Sequence, residues 1–112
     1  MWVEARRSGT RGVPSIKELV KDAGKVRLSL APMQILIDIA RVREYCTEKY
    51  GDPENWRQVQ PERYVDALLR HTVAYVRDRK AVDAESGLPH LWHMACNLAF
   101  LCEMEGEENE ID

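Results

Sequence analysis

The chain has 112 residues, 45% of them apolar and 31% charged, with a net charge of −3. That length fits one domain and that apolar fraction supports a core, while three cysteines (Cys46, Cys96, Cys102) without CxxC spacing exclude a disulfide framework and a zinc knuckle and point to a reducing cytoplasm. Residues 1–27 carry seven Lys/Arg against three acids, too dilute a charge to indicate nucleic acid, and residues 103–112 carry six acids and no base. No signal-peptide core follows Met1, and no apolar run approaches the roughly 20 residues of a membrane span, so no membrane partner is expected.

Residues 1–14, with Gly9, Gly12 and Pro14 among basic side chains, read as a flexible basic arm. A helical domain is expected over 15–104 and an acidic, solvated tail over 105–112. Ser15-Ile16-Lys17-Glu18 is a capping-box pattern that opens a short helix ending near Gly24. Lys25 to Leu30 is either extended or a connection. A long helix is predicted from about Pro32 to Tyr50, with Ile35, Ile39, Val42 and Cys46 as its inner stripe, widened by Leu36 and Ile37. Gly51 stands where a left-handed C-terminal residue is wanted, and Asp52 to Trp56 is a loop by composition.

Pro61 opens a second long helix reaching about Arg79. Tyr64, Leu68, Thr72 and Tyr75 line one side, and Val65, Leu69, Val73 and Val76 cover much of the remainder. A helix so apolar is expected between neighbours, which in a small domain means a subunit interface. The third long helix is predicted over about Pro89–Met104, with Ser86 or Gly87 as cap and Pro89 in its first turn. Three long helices plus a short one, without convincing strands, make an all-α bundle that self-associates.

The third helix carries the most informative pattern. His90, His93 and Asn97 fall at i, i+3 and i+7 and share a face, while Leu91, Ala95, Leu98 and Cys102 make an apolar one. Two imidazoles and an amide on such a helix destabilise it unless partners satisfy them, and Asp83 and Glu85 lie just upstream. His90 and His93 at i, i+3 can also share a metal, although the HExxH arrangement is absent. On the second helix Arg63, Asp66, Arg70 and Arg77 share a face: either a solvated ion-pair row or a cationic wall for phosphates with Asp66 positioning an arginine. His71 sits one residue beyond Arg70. Lys49, Tyr50, Asn55 and Trp56 bracket the loop after the first helix. There Trp56 either plugs the core or, like Tyr50 or Trp92, stacks on a planar base while Lys49 and Asn55 reach polar groups. No Walker loop, GxGxxG or nucleophile elbow is present.

The ordered blocks Glu48-Lys49-Tyr50-Gly51, Asn55-Trp56, Arg63-Tyr64-x-x-Ala67-Leu68-x-Arg70-His71 and Asp83-x-Glu85-Ser86-Gly87-x-x-His90-Leu91-x-His93-x-x-x-Asn97 resemble a phage-associated family of dATP/dGTP diphosphohydrolases. These are small relatives of the MazG-like all-α nucleoside triphosphate pyrophosphohydrolases. The resemblance covers roughly residues 25–103. It implies a MazG-like helical homo-oligomer that binds a purine nucleotide and, if active, cuts between the α- and β-phosphates with Mg²⁺ or Mn²⁺. The wider superfamily carries ExxE on one helix and ExxD on the next. Here only Asp66, Asp83 and Glu85 remain as acids for the metal, with Glu85 and Asp66 as the catalytic candidates. Lys49, Asn55, Trp56, Arg63, Arg70, His71, His90, His93 and Asn97 are the expected nucleotide-binding residues. The alternative is a non-catalytic phage protein that sequesters a nucleotide-derived immune signal, since cations and imidazoles hold phosphates without activating water. A helical interaction module without a small ligand is a third reading.

Overall fold

A computed structural model of the chain describes residues 24–109, so the predicted arm and short helix over 1–23 and the last three residues of the tail lie outside it. Two units are distinguished, Met1–Ala31 and Pro32–Asp112. In the first, Lys25–Leu30 resolves into a connection ending in a 3₁₀ turn, Leu28–Leu30, closed by Ala31 N–H donating to the Leu28 carbonyl at 3.1 Å.

The second unit contains three α-helices among the described residues: α1, Gln34–Tyr50; α2, Pro61–Arg77; and α3, His90–Asn109. The all-α class follows. A 3₁₀ turn, Asn55–Gln58, interrupts the loop expected between α1 and α2. Helix α1 starts two residues later than the sequence suggests, with Met33 rather than Pro32 at its boundary and no side-chain cap. Gly51 ends it with φ of 91° and donates its N–H to the Thr47 carbonyl at 2.8 Å; an L side chain is strained at such an angle. Pro61 stands at the first position of α2, where the missing N–H removes no helical bond.

Helix α3 packs against both α1 and α2 and is therefore the central element. Within the single chain α2 is thus not the enclosed helix. On α2, Tyr64, Leu68, Thr72 and Tyr75 turn partly inward as their spacing predicts. Val65, Leu69, Val73 and Val76 remain exposed, Val76 to 72%. On α3 it is the polar side that turns inward. Leu91, Leu98 and Cys102 are exposed, whereas His93, Cys96 and Asn97 are buried. The polar face can point inward because its groups find partners in the α2–α3 loop. On α1 the inner stripe holds at Val42, which is 2% exposed, but Ile35 is 45% exposed.

Helix α3 begins directly after Pro89, whose carbonyl accepts from Trp92 N–H at 3.1 Å and His93 N–H at 3.4 Å. Pro89 is thus the boundary residue, and neither Ser86 nor Gly87 caps the helix. Those two residues belong to a tight loop. Val82 and Pro89 form an antiparallel bridge, Asp83 N–H donates to Leu88 O at 2.8 Å, and Gly87 N–H donates to Asp83 O at 2.8 Å. Gly87 takes φ of 75°, which glycine adopts without steric penalty.

Candidate functional site

Five polar residues, Asp83, Ser86, His71, His90 and His93, converge where this loop meets α2 and α3. The Asp83 carboxylate accepts through Oδ2 from the N–H groups of Glu85, at 3.1 Å, and Ser86, at 2.8 Å. This is the local turn that an Asp two and three residues upstream of free N–H groups forms. The Ser86 hydroxyl accepts from Leu88 N–H at 3.1 Å and lies 2.7 Å from Nε2 of His93. That nitrogen is also 4.0 Å from Asp83 Oδ2. The ring of His71, from α2, stacks on His93 with centroids 4.5 Å apart and planes 8° apart. Its Nδ1 meets Nδ1 of His90 at 2.8 Å. His71, Asp83 and His90 each offer a ligand atom, all within 4.8 Å of one another. Asn97 uses its amide N–H to bond the His93 carbonyl at 2.8 Å, so it serves the helix rather than the cluster.

Burial penalises the charged imidazole and holds both His71 and His93 below the ordinary histidine value. For His71 the neighbouring His93 adds repulsion; for His93 the Asp83 charge works against the shift without reversing it. Burial pushes the Asp83 carboxyl upward, but the Ser86 N–H, the Ser86 hydroxyl and the histidines outweigh it and keep Asp83 below the usual 3.8. His71 and His93 thus present neutral rings beside the Asp83 carboxylate at neutral pH.

The consequence for stability has a definite sign. An unfolded histidine takes up a proton near pH 6.5, whereas folded His71 and His93 resist it, so acidification below that point favours the unfolded chain. Asp83 adds a further loss below its ordinary value. The melting temperature is expected to be lower at about pH 5.5 than at about pH 7.5 by several degrees, since ~1 kcal/mol moves a small domain by roughly 4–8 °C. Calorimetry across that range checks this, and His71→Gln should flatten the slope.

The cluster borders a cavity of about 210 Å³ whose walls include Lys49, His71, Asp83, Glu85, His93 and Asn97. A second cavity, about 310 Å³, is lined by Arg43, Asp52, Asn55, Trp56 and Val59. Cys46, Tyr50, Tyr64 and Phe100 line both, so a polar and an aromatic compartment share a wall. Trp56 stacks on Phe100 with centroids 4.6 Å apart, and the Arg57 guanidinium lies 4.4 Å from its ring centre. Phe100 also meets Tyr64 at 4.8 Å and the Arg43 guanidinium at 5.3 Å, and the Tyr64 hydroxyl donates to the Trp56 carbonyl at 2.7 Å. Burial drives the Tyr64 phenol up to about 12 and the Cys96 thiol up to about 12, so both stay protonated.

The remaining sequence-derived candidates divide plainly. His71, His90, His93 and Asp83 come together. Lys49 also faces the polar cavity, but it bonds Glu85 at 2.5 Å, which raises the lysine's pKa and engages the carboxylate. Asn55 donates to the Tyr50 carbonyl at 3.4 Å and so secures the end of α1. Trp92 lines a separate hollow with Arg41, Glu44 and Tyr45. Arg63, Asp66 and Arg70 are exposed on α2 and line neither cavity. Asp66 and Arg70 form no ion pair with each other among the described residues. Asp66, Asp83 and Glu85 therefore do not assemble into one carboxylate set. Two participants are not among the expected site residues: Ser86, which the sequence offers only as a helix cap, and Phe100. An Asp three residues before a Ser-Gly pair was the available signal for the first.

The chain matches the family model described as dATP/dGTP diphosphohydrolase, N-terminal, over residues 15–112. It is 36% identical over 80 residues to a protein of Salmonella phage PMBT28 named dATP/dGTP diphosphohydrolase. That alignment covers 71% of this chain but 27% of the phage protein, so the chain spans about a quarter of its relative's length. No solved structure matches it. No described helix is long and apolar enough to cross a membrane. With the family model covering most of the sequence and both cavities falling within the matched residues, the chain belongs to the dATP/dGTP diphosphohydrolase N-terminal family.

Proposed function

We propose that this domain binds a purine deoxynucleoside triphosphate and cleaves it between the α- and β-phosphates, releasing the monophosphate and pyrophosphate. The observation that carries the reading is the gathering of His71, Asp83, His90 and His93 beside a compartment walled by aromatic rings. In this reading the base enters the side of Tyr50, Tyr64 and Phe100, and the phosphates lie toward Lys49 and the histidines. Ser86 fixes the His93 ring, and a neutral, half-enclosed imidazole is suited to take a proton from an attacking water. Lys49 supplies positive charge where the phosphates would lie, provided the nucleotide displaces Glu85 from it.

Magnesium and manganese are the ions a triphosphate substrate implies. Asp66, Asp83 and Glu85 do not fit as their joint holders, because Asp66 faces solvent on α2 and Glu85 pairs with Lys49. That separation favours the second reading, in which the domain captures a nucleotide-derived signal and leaves it unchanged. Incubation of dATP and dGTP with Mg²⁺ or Mn²⁺ and chromatography of the products separates the two. The proposed enzyme yields the monophosphate plus pyrophosphate. Recovery of every nucleotide intact, with capture unaffected by EDTA, overturns it in favour of sequestration.

Self-association belongs to the same proposal. Ile35, Leu68, Leu91, Met94, Ala95 and Leu98 line an apolar hollow of about 460 Å³, and Val65, Leu69, Val73 and Val76 continue the exposed apolar surface along α2. A surface of this kind is unusual on a small monomer. Light scattering at micromolar concentration is expected to give at least a dimer mass, and Leu69→Glu with Val73→Glu should dissociate it. A monomer mass for the unmodified chain overturns this part.

A further inference from the structure

We infer that His71, Asp83 and His90 form a binding site for one divalent transition-metal ion of the cobalt, nickel or zinc type, not a magnesium site. The inference deepens the proposed function by naming the ion at its polar end, and its test is independent of turnover.

Geometry comes first. Two ligand nitrogens about 2.0–2.1 Å from one ion stand roughly 2.8–3.4 Å apart for angles between a right angle and the tetrahedral value. The Nδ1 atoms of His71 and His90 are 2.8 Å apart. The Asp83 carboxylate completes a set whose ligand atoms all lie within 4.8 Å of one another. Both loop N–H groups bond to Oδ2, so neither of them occupies Oδ1.

The donor chemistry selects the ion. Imidazole nitrogen suits borderline cations, whereas magnesium takes oxygen ligands and keeps its waters. Two imidazoles and one carboxylate leave positions open to water or to a phosphate oxygen, as in sites that act on a substrate. The mounting is rigid as well. His71 stands on α2, His90 opens α3, and the intervening loop is held by the Val82–Pro89 bridge and the Asp83–Leu88 bond. His93 stays outside the set, its Nε2 engaged with Ser86. The rival account is a metal-free pair in which one Nδ1–H donates to the other ring.

Cobalt titration of the EDTA-stripped full chain decides between them. The expected result is saturable uptake of one Co²⁺ per chain with visible ligand-field bands, reversed by Zn²⁺ and untouched by excess Mg²⁺. His71→Gln and His90→Gln should each weaken uptake at least ~10-fold, and Asp66→Asn should leave it unchanged. Absence of saturable binding, displacement by Mg²⁺, or a thiolate charge-transfer band placing the ion on cysteine overturns the inference. So does loss of uptake in Asp66→Asn. If the histidine variants fail to fold, the competition on the unmodified chain still decides. Cobalt uptake without nucleotide cleavage upholds the site and removes the hydrolase reading; cleavage without uptake does the reverse.

Discussion

Asp83→Asn is expected to lower the proposed nucleotide turnover by roughly 10–100-fold while leaving the fold intact, as loss of a group that orients a catalytic centre does. The side chain has two separable tasks. Its Oδ2 accepts the Glu85 and Ser86 N–H groups, and an amide oxygen at the same position still accepts them, though more weakly without the charge. Its charge faces His71, His90 and His93, and the amide removes it. Asp83→Ala removes both. The loop N–H groups then lose their acceptor, with an expected stability loss of about 1–2 kcal/mol, moderated because water reaches the loop. Steady-state assays beside urea denaturation on both variants check this. Wild-type turnover in Asp83→Asn would remove the carboxylate from the proposed chemistry.

Phe100→Ala is expected to give the largest stability loss of any single truncation at the site. The ring packs on Trp56 at 4.6 Å, on Tyr64 at 4.8 Å and beneath Arg43 at 5.3 Å, and it forms part of the wall between the two cavities. Truncating a buried phenylalanine costs about 3–5 kcal/mol; Phe100 is half-buried, so about 2–4 kcal/mol is expected. With a urea dependence of about 1–3 kcal/mol per molar, the unfolding midpoint should fall by roughly 1 M or more. Phe100→Leu should recover much of the loss. A midpoint unmoved by Phe100→Ala would mean that the aromatic cluster adds little to the fold.

Local chemistry made the helices legible in the sequence. Pro61 marked the start of α2 and Gly51 the end of α1 because each residue has a backbone geometry that few others share. Spacing placed His90, His93 and Asn97 on one side of α3 and Asp83 beside them, since a turn of 3.6 residues is a property of one strand of chain. Which side of a helix meets a neighbour is decided by packing between helices, and there the sequence was ambiguous. Leu91, Leu98 and Cys102 on the apolar face of α3 are exposed, because Asp83, Ser86 and His71 satisfy the polar face and let it turn inward. On α2 a single residue step of about 100° separates Arg70, which is exposed, from His71, which reaches the cluster. Arg63 and Asp66 follow Arg70 outward, and Glu85 meets Lys49 across 36 residues. The tertiary structure alone brought α2, the loop and α3 to one point, because contacts between distant residues depend on how whole helical faces fit and not on any local spacing.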